Sequence, residues 1–553
     1  MELTVTAIKA SKDQIELSFR TGAENIRQHF EVRAFVPLVN IGSDNKHPGR
    51  QVFSYAFSLA QAEARGNDEY AVRFPRKSGY DLLICRYELS MFDIDGGGMA
   101  EAETVAEGVK YVDGFLEGFS ECSDPGPEIK RPLGTWMIAP EEDIEYMRFG
   151  YMMDEIDLAW IMSYRKHENV IVHVWNGREY YFDREMVELH DSFLIKMARK
   201  GIPTLIRFIN RDKYQLKRAD SEFFNIIKHP CCEEDIPDVE ISGFNMRTEE
   251  AIGYYCACVD FLISRYASPD SPYGWSKIID IGNEVNAQQT WYNSGPMESS
   301  ELMEEYSVAL RLAWQIARQY HSDYQVHISV EHNFANTDNP DRTHFYPARD
   351  VLLHLSAITR RDSDFDWGVS AHPYPERLDY PDFYNDRCAV FSLDTHKITM
   401  KNMEVWPVFL SRPEMSYKGA QRRVLFDEQG FHTAVDRPYT EEQGAYAFVL
   451  AYLKIRKNPG IDVLLIHRHI DQQDEDEYGL HLGLRYAGPG GYTDPEHIFA
   501  EPGRRKMICD AIAAMDSDLE GCWVRTARAF IGEGLFDYLM DPPEVDPGSM
   551  GKI

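Results

Sequence analysis

What is scarce in this chain narrows it first. Among its 553 residues there are nine cysteines, an odd number. No Cys-x-x-Cys pair occurs, and the adjacent Cys231 and Cys232 suit a disulfide poorly. Cys256 and Cys258 read as core thiols, so a reduced, cytoplasmic protein is expected. Basic residues are few: 58 Lys and Arg stand against 90 Asp and Glu, a formal charge of −32. Neutralising phosphate takes clusters of Lys and Arg, so this balance argues against nucleic acid and anionic membranes and for a neutral ligand. No run of 18 apolar residues suggests a membrane span. Met1-Glu2-Leu3-Thr4-Val5 has neither the basic nor the apolar region of a signal peptide. A phosphate loop is missing as well, because Asp95-Gly96-Gly97-Gly98 has no Lys-Ser/Thr downstream.

What is present is a substantial apolar and aromatic content, 44% and 12%, over a length that suits two domains. Residues 1–125 alternate apolar and polar positions in short runs, as in Gln14–Phe19 and Leu82–Leu89, and read as a β-sandwich-like accessory domain. Asp124-Pro125-Gly126-Pro127 marks a boundary. From 126 to 553 strand-like and helix-like stretches alternate, which predicts an α/β fold. Eight strands are expected: Glu155–Met162, Ile202–Asn210, Val239–Asn245, Ile278–Ile281, Val326–His332, Trp367–Pro375, Val424–Glu428 and Asp462–His469. Asn176-Gly177 predicts a hairpin turn, and helices are expected over 184–200, 249–266, 301–320 and 440–455. Eight strands with helices between them make a (β/α)8 TIM barrel, the expected catalytic domain.

Two of these strands end in chemistry. Ile278-Ile279-Asp280-Ile281 runs into Gly282-Asn283-Glu284, and Val424-Leu425-Phe426 runs into Asp427-Glu428-Gln429-Gly430. In such barrels the C-terminal strand ends carry the active site. Two carboxylates at the mouths of different strands suit glycoside hydrolysis, one as proton donor and one as nucleophile or base. Glu284 would need a raised pKa, and Glu428 would have to stay ionised. Arg207, at the end of the second expected strand, is the candidate to hold Glu428 charged. His372 is a candidate partner for sugar hydroxyls. By strand alternation Asp427 is expected to face away from Glu428. His467, His469 and Asp471 share a face by period two. That supports an alternative, a metal-dependent barrel hydrolase in which Glu331 or His332 completes the ligand set. A non-catalytic carbohydrate-binding protein is a third reading. The principal reading calls for no metal and no cofactor; its partner is a carbohydrate, and the sequence carries no signal for oligomeric state.

With Asn283-Glu284 on the fourth strand and Glu428 on the seventh, the chain resembles the clan-A glycoside hydrolases. The resemblance implies that Glu284 is the acid/base, Glu428 the nucleophile and Asn283 a ligand of the sugar 2-hydroxyl; His372 and Tyr374 match the strand-six positions near the nucleophile. Residues from about 150 to 490 further resemble a bacterial domain family of unknown function, number 5722. The likeness lies in Asn176-Gly177, Ile281–Asn286, Asp427–Phe431, and His467-Arg468-His469 with Gly483-Leu484. The strand-eight position where many clan members carry a tryptophan holds His467 and His469 here, so both are expected to line the sugar site. Trp291, Tyr292 or Trp367 is expected to serve as the stacking platform.

Overall fold

A computed structural model describes residues 3–22, 28–39, 49–94, 100–137, 139–211, 221–233, 236, 241–434, 436–437, 439–472, 475, 478–488 and 501–548. The Asp95–Gly98 loop and residues 239–240 of the third expected strand lie outside them.

Two sheets form the N-terminal part, one mixed and one antiparallel. One is built around Leu3–Ala10, Gln14–Thr21 and Glu69–Pro75, the other around Gln51–Ser58, Gln28–Phe35, Arg86–Ile94 and Ala100–Val105. Apolar alternation buries one face of each sheet, and Phe19, Phe30 and Phe57 meet between them with ring centroids 5.4–5.8 Å apart. The sandwich is tied to the barrel by polar contacts as well as by a continuous apolar core. Lys110 Nζ pairs with Asp362 at 2.9 Å, and the Asp81 N–H donates to Asn176 Oδ1 at 2.8 Å. The second contact uses the predicted Asn-Gly hairpin, Val170–Trp175 and Arg178–Asp183.

Eight parallel strands close a barrel: β1 (Leu133–Trp136), β2 (Tyr151–Asp157), β3 (Thr204–Ile209), β4 (Ser276–Ile281), β5 (Gln325–Glu331), β6 (Trp367–His372), β7 (Val424–Gln429) and β8 (Leu464–Ile466). The helices between them include α1 (Arg184–Arg199), α2 (Glu249–Tyr266), α3 (Ser299–Tyr320), α4 (Ala348–Asp362) and α5 (Tyr439–Lys457). After the barrel, α6 (Met507–Ala514), α7 (Glu520–Ile531) and α8 (Glu533–Met540) pack on α5. No helix among the described residues is long and apolar enough to cross a membrane.

The fold class is as expected, but the first three strands are not. Leu133–Trp136, four residues containing Gly134, is β1 and carries too short an apolar run to stand out. The stretch expected as the first strand is β2 up to Asp157, after which Leu158–Ile161 turns helical under an Asp157 cap. Ile202–Asn210 contains β3 rather than the second strand. Ile241 and Ser242 make only isolated bridges, to Arg211 and Asn293. One strand missed and one counted too many leave β4 and β7 with their expected ordinals.

Inward positions follow period two and change character along the barrel axis. Met153, Leu205, Ile278, Leu425 and Leu465 form an apolar layer. Two residues further along the same strands come Glu155, Arg207, Asp280, Asp427 and His467. The charged layer therefore stands on an apolar floor, at the strand ends where the loops begin.

Candidate active site

Gly282 (φ +83°) and Glu284 (φ +37°) turn the chain sharply after β4. A Cβ on Gly282 would fall 2.5 Å from the Tyr292 ring, so only glycine lets the turn close here. The Glu284 N–H donates to Ser329 Oγ on β5 at 3.1 Å, which fixes the turn. Its carboxylate then meets β6, with Oε1 2.7 Å from His372 Nδ1.

Glu428 arrives from the other side. Pairing between β7 and β8 is irregular from Phe426 to Gln429, and such a break suspends alternation. Asp427 is the residue that period two turns inward; Glu428, next to it, reaches the lumen because the ladder slips. Both then bind one guanidinium. Arg207 NH2 lies 2.5 Å from Asp427 Oδ2, and Arg207 NH1 lies 2.7 Å from Glu428 Oε2. This corrects the expectation that Asp427 points away from the site. It also places Arg207 on β3, facing β7 across the barrel. Tyr374, just past β6, donates its hydroxyl to Glu428 Oε1 at 2.9 Å.

Ligand atoms of Glu284, His372 and Glu428 all lie within 4.8 Å of one another. Burial would push the Glu428 carboxyl up, but His467, His372 and Arg207 outweigh it and hold the group well below the usual carboxylate range. Asp427 is likewise brought down, to about 2, with His372 and Arg207 overcoming burial. Burial disfavours a charged His372, yet Glu428, Asp427 and Glu284 together raise its pKa well above the ordinary value. Burial and the charge of Glu428 push the Tyr374 phenol upward, so it stays a donor. Asp280, in the same charged layer, is raised well above its usual value by burial and by Asp427. On β5, burial and the Glu284 charge push Glu331 up to about 7, while Asn286 and Asn333 donate to its two oxygens.

The structure thus gathers Glu284, Glu428, Arg207, His372 and Tyr374, with Asn283 in the turn and His467 near enough to act on Glu428. Asn283 is buried and makes no side-chain hydrogen bond among the described residues. Other candidates fall elsewhere. His469 is fully buried and bound to Asp143 at 2.8 Å, and Asp471 pairs with Lys506 at 2.8 Å. With His467 directed to Glu475 at 3.1 Å, the three period-two residues serve three different partners, so they form no ligand set and His469 lines no sugar site. Tyr292 is core packing beneath Gly282, and Trp367, at the start of β6, lies under Arg422. Trp291, half-buried on the short helix Gln288–Trp291, makes none of the contacts that join the site. Besides Tyr374, the site has Trp136 on β1, its ring 4.5 Å from His467 and 5.0 Å from the Arg207 guanidinium carbon. Sequence reasoning missed it together with its strand, and missed Glu475 because nothing in the stretch after β8 marks a residue that folds back.

Could the site hold a metal? Glu284, His372 and Glu428 have the spacing. However, both Glu428 oxygens already face donors, Arg207 and Tyr374, and a protonated imidazole offers no lone pair. The donor set favours an ionised carboxylate held by hydrogen bonds.

The sequence profile of a family of unknown function, DUF5722, matches residues 132–537. The chain belongs to this family. The match spans all eight barrel strands and α1–α7 in full. No curated protein matches the sequence. Among solved structures, a family 39 glycoside hydrolase from the gut symbiont Bacteroides cellulosilyticus WH2 is similar at 13% identity, over 94% of this chain and 83% of that one, with a TM-score of 0.42. A family 1 β-glucosidase from Thermotoga maritima is similar at 11% identity over 70% and 84%, TM-score 0.39. A Bacteroides uniformis β-glucuronidase is similar at 10% over 88% and 48%, TM-score 0.32. The closed barrel carries Asn-Glu after its fourth strand and Glu on its seventh.

Proposed function

We propose that this DUF5722 protein is a retaining glycoside hydrolase acting on a β-linked oligosaccharide or glycoside. The observation that carries the reading is the approach of Glu284 and Glu428, whose nearest ligand atoms lie within 4.8 Å. Two carboxyl groups at about 5–5.5 Å suit double displacement, whereas inversion needs room for a water between them. Glu428, kept ionised by Arg207, attacks the anomeric carbon as the glycosidic C–O bond breaks. Glu284 delivers its proton to the leaving oxygen. In the second half Glu284 takes a proton from water, whose oxygen displaces Glu428. His372 orients Glu284 through the 2.7 Å contact, and Tyr374 positions Glu428. Asn283, with its side chain unengaged, is assigned to a sugar hydroxyl. The sandwich of residues 1–125 is assigned as accessory, since it supplies none of these groups.

The test is turnover of aryl β-glycosides by wild type, Glu428→Ala and Glu284→Ala, with and without azide. An inactive Glu428→Ala that azide rescues to an α-glycosyl azide fixes the nucleophile. A Glu284→Ala variant rescued to a β-glycosyl azide fixes the acid/base. Wild-type activity in both variants would end the reading.

A further inference from the structure

Beside the two glutamates, Glu475 Oε2, His467 Nδ1, Trp136 Nε1 and Asn283 Oδ1 are shielded from solvent and have no hydrogen-bond partner among the described residues. Arg207 Nε and Asp427 Oδ1, in the charged layer, are in the same state. Buried polar groups are nearly always bonded, so a concentration of unbonded ones beside a reactive pair points to an absent ligand.

Glu475 is the most informative of them. It follows β8, and its Oε1 lies 3.1 Å from His467 Nε2 and 3.3 Å from Arg468 NH2. Its carboxylate is close enough for its charge to act on both Glu428 and Tyr374. Burial would raise Glu475, but Arg468 and His467 outweigh burial and lower it, so the group is an anion. An ionised carboxylate only accepts hydrogen bonds, and an indole N–H only donates. Glu475 and Trp136 both contact the His467 imidazole. An acceptor and a donor so placed match a hydroxyl, which does both. A carboxylate or sulfate cannot donate to Glu475 and would be repelled by it; an ammonium cannot accept from Trp136.

We propose that Glu475 and Trp136 form a hydroxyl-recognising subsite beside Glu428, and that it admits neutral sugars with a free hydroxyl there and rejects uronic acids. This deepens the glycoside hydrolase reading and rests on it for the identity of the site.

The test is binding rather than turnover. Wild type, Glu475→Ala, Glu475→Gln and Trp136→Phe are titrated calorimetrically with methyl β-glucoside, methyl β-galactoside, methyl β-xyloside and methyl β-glucuronide, at high millimolar concentrations. At least one neutral glycoside should bind wild type, and more tightly than the glucuronide. Glu475→Ala should weaken the neutral ligand by roughly 10- to 100-fold, the range for a hydrogen bond to a charged group, and should shrink the discrimination against the glucuronide. Glu475→Gln should shrink it too, and Trp136→Phe should weaken neutral binding while the discrimination stays. A Glu475 that only braces His467 and Arg468 would lower thermal stability and weaken neutral and acidic ligands alike, which overturns the proposal. Tighter binding of the glucuronide than of every neutral glycoside overturns it, as does the absence of any neutral binding. Binding through Glu475 with no turnover would keep this inference and end the hydrolase reading. Hydrolysis of glucuronides would do the reverse.

Discussion

The pair Asp280 and Asp427 yields the sharpest contrast between two neighbouring substitutions. Both side chains are fully buried. Asp280 Oδ1 accepts from Ser370 at 2.6 Å, while Asp280 Oδ2 has no donor and Asp427 Oδ1 faces only His372 Nε2, at 3.3 Å. One proton between them satisfies both oxygens, and Asp280 is the group whose pKa is raised. Asparagine at 280 reproduces that state: its carbonyl accepts from Ser370 and its amide donates to Asp427. A folded pKa above the unfolded one gives stability that is complete below the usual carboxylate range and is lost as pH rises toward the folded value. Wild type therefore loses about 1.4 kcal/mol per pH unit over that interval, and Asp280→Asn does not. At neutral pH Asp280→Asn should match or exceed wild type in urea unfolding, with the difference growing from acid to neutral. Asp427→Asn removes the anion facing both Arg207 and His372 and should cost about 3–5 kcal/mol. With an unfolding entropy of about 2.1 cal/mol/K per residue, that is a Tm lower by about 3–4 °C. If Asp280→Asn loses as much as Asp427→Asn at neutral pH, Asp280 is ionised there and the reasoning fails.

Three further outcomes are expected. Tyr374→Phe removes a donor that steadies Glu428 but no packing volume, so kcat should fall about tenfold with Tm within a degree or so of wild type; stopped assays and calorimetry together check this. Arg207→Lys replaces a fork by a single ammonium that cannot serve Asp427 and Glu428 at once, and kcat/KM should fall about 100-fold; a variant near wild-type rate would remove Arg207 from the mechanism. Glu331, at about 7 in the fold against an ordinary 4.5, gives stability that is lost as pH rises through that interval. Unfolding titrations of Glu331→Gln should accordingly show a flatter pH dependence there than wild type.

Much of this arrangement was legible in the chain, for identifiable reasons. The strands that carry Glu284 and Glu428 are apolar runs broken by Gly-Asn-Glu and Asp-Glu, and burial demands such runs whatever surrounds them. The helix at Glu249–Tyr266 appears at its expected bounds because a Thr248 cap and a buried face agree. By contrast β1 is too short for any period to emerge, and its pairing with β2 on one side and β8 on the other defines it. The side assigned to Asp427 was wrong because alternation holds only while the ladder is regular, and the slip lies between Phe426 and Gln429. The apparent ligand face of His467, His469 and Asp471 failed for a related reason. Shared facing on a strand says nothing about which partners, Glu475, Asp143 and Lys506, wait on other segments.

The slip in β7 has a practical corollary. By turning two consecutive acids onto one guanidinium, it makes the candidate nucleophile a counter-ion of the barrel interior. A Glu428→Ala protein prepared to trap a bound sugar would thus differ from wild type in more than reactivity: Arg207 keeps a single carboxylate, and His372 loses one of the anions that sustain its charge. Ligand affinities measured on such a variant would describe a differently charged pocket, and those measured on an inert glycoside with Glu428 in place are the ones to compare.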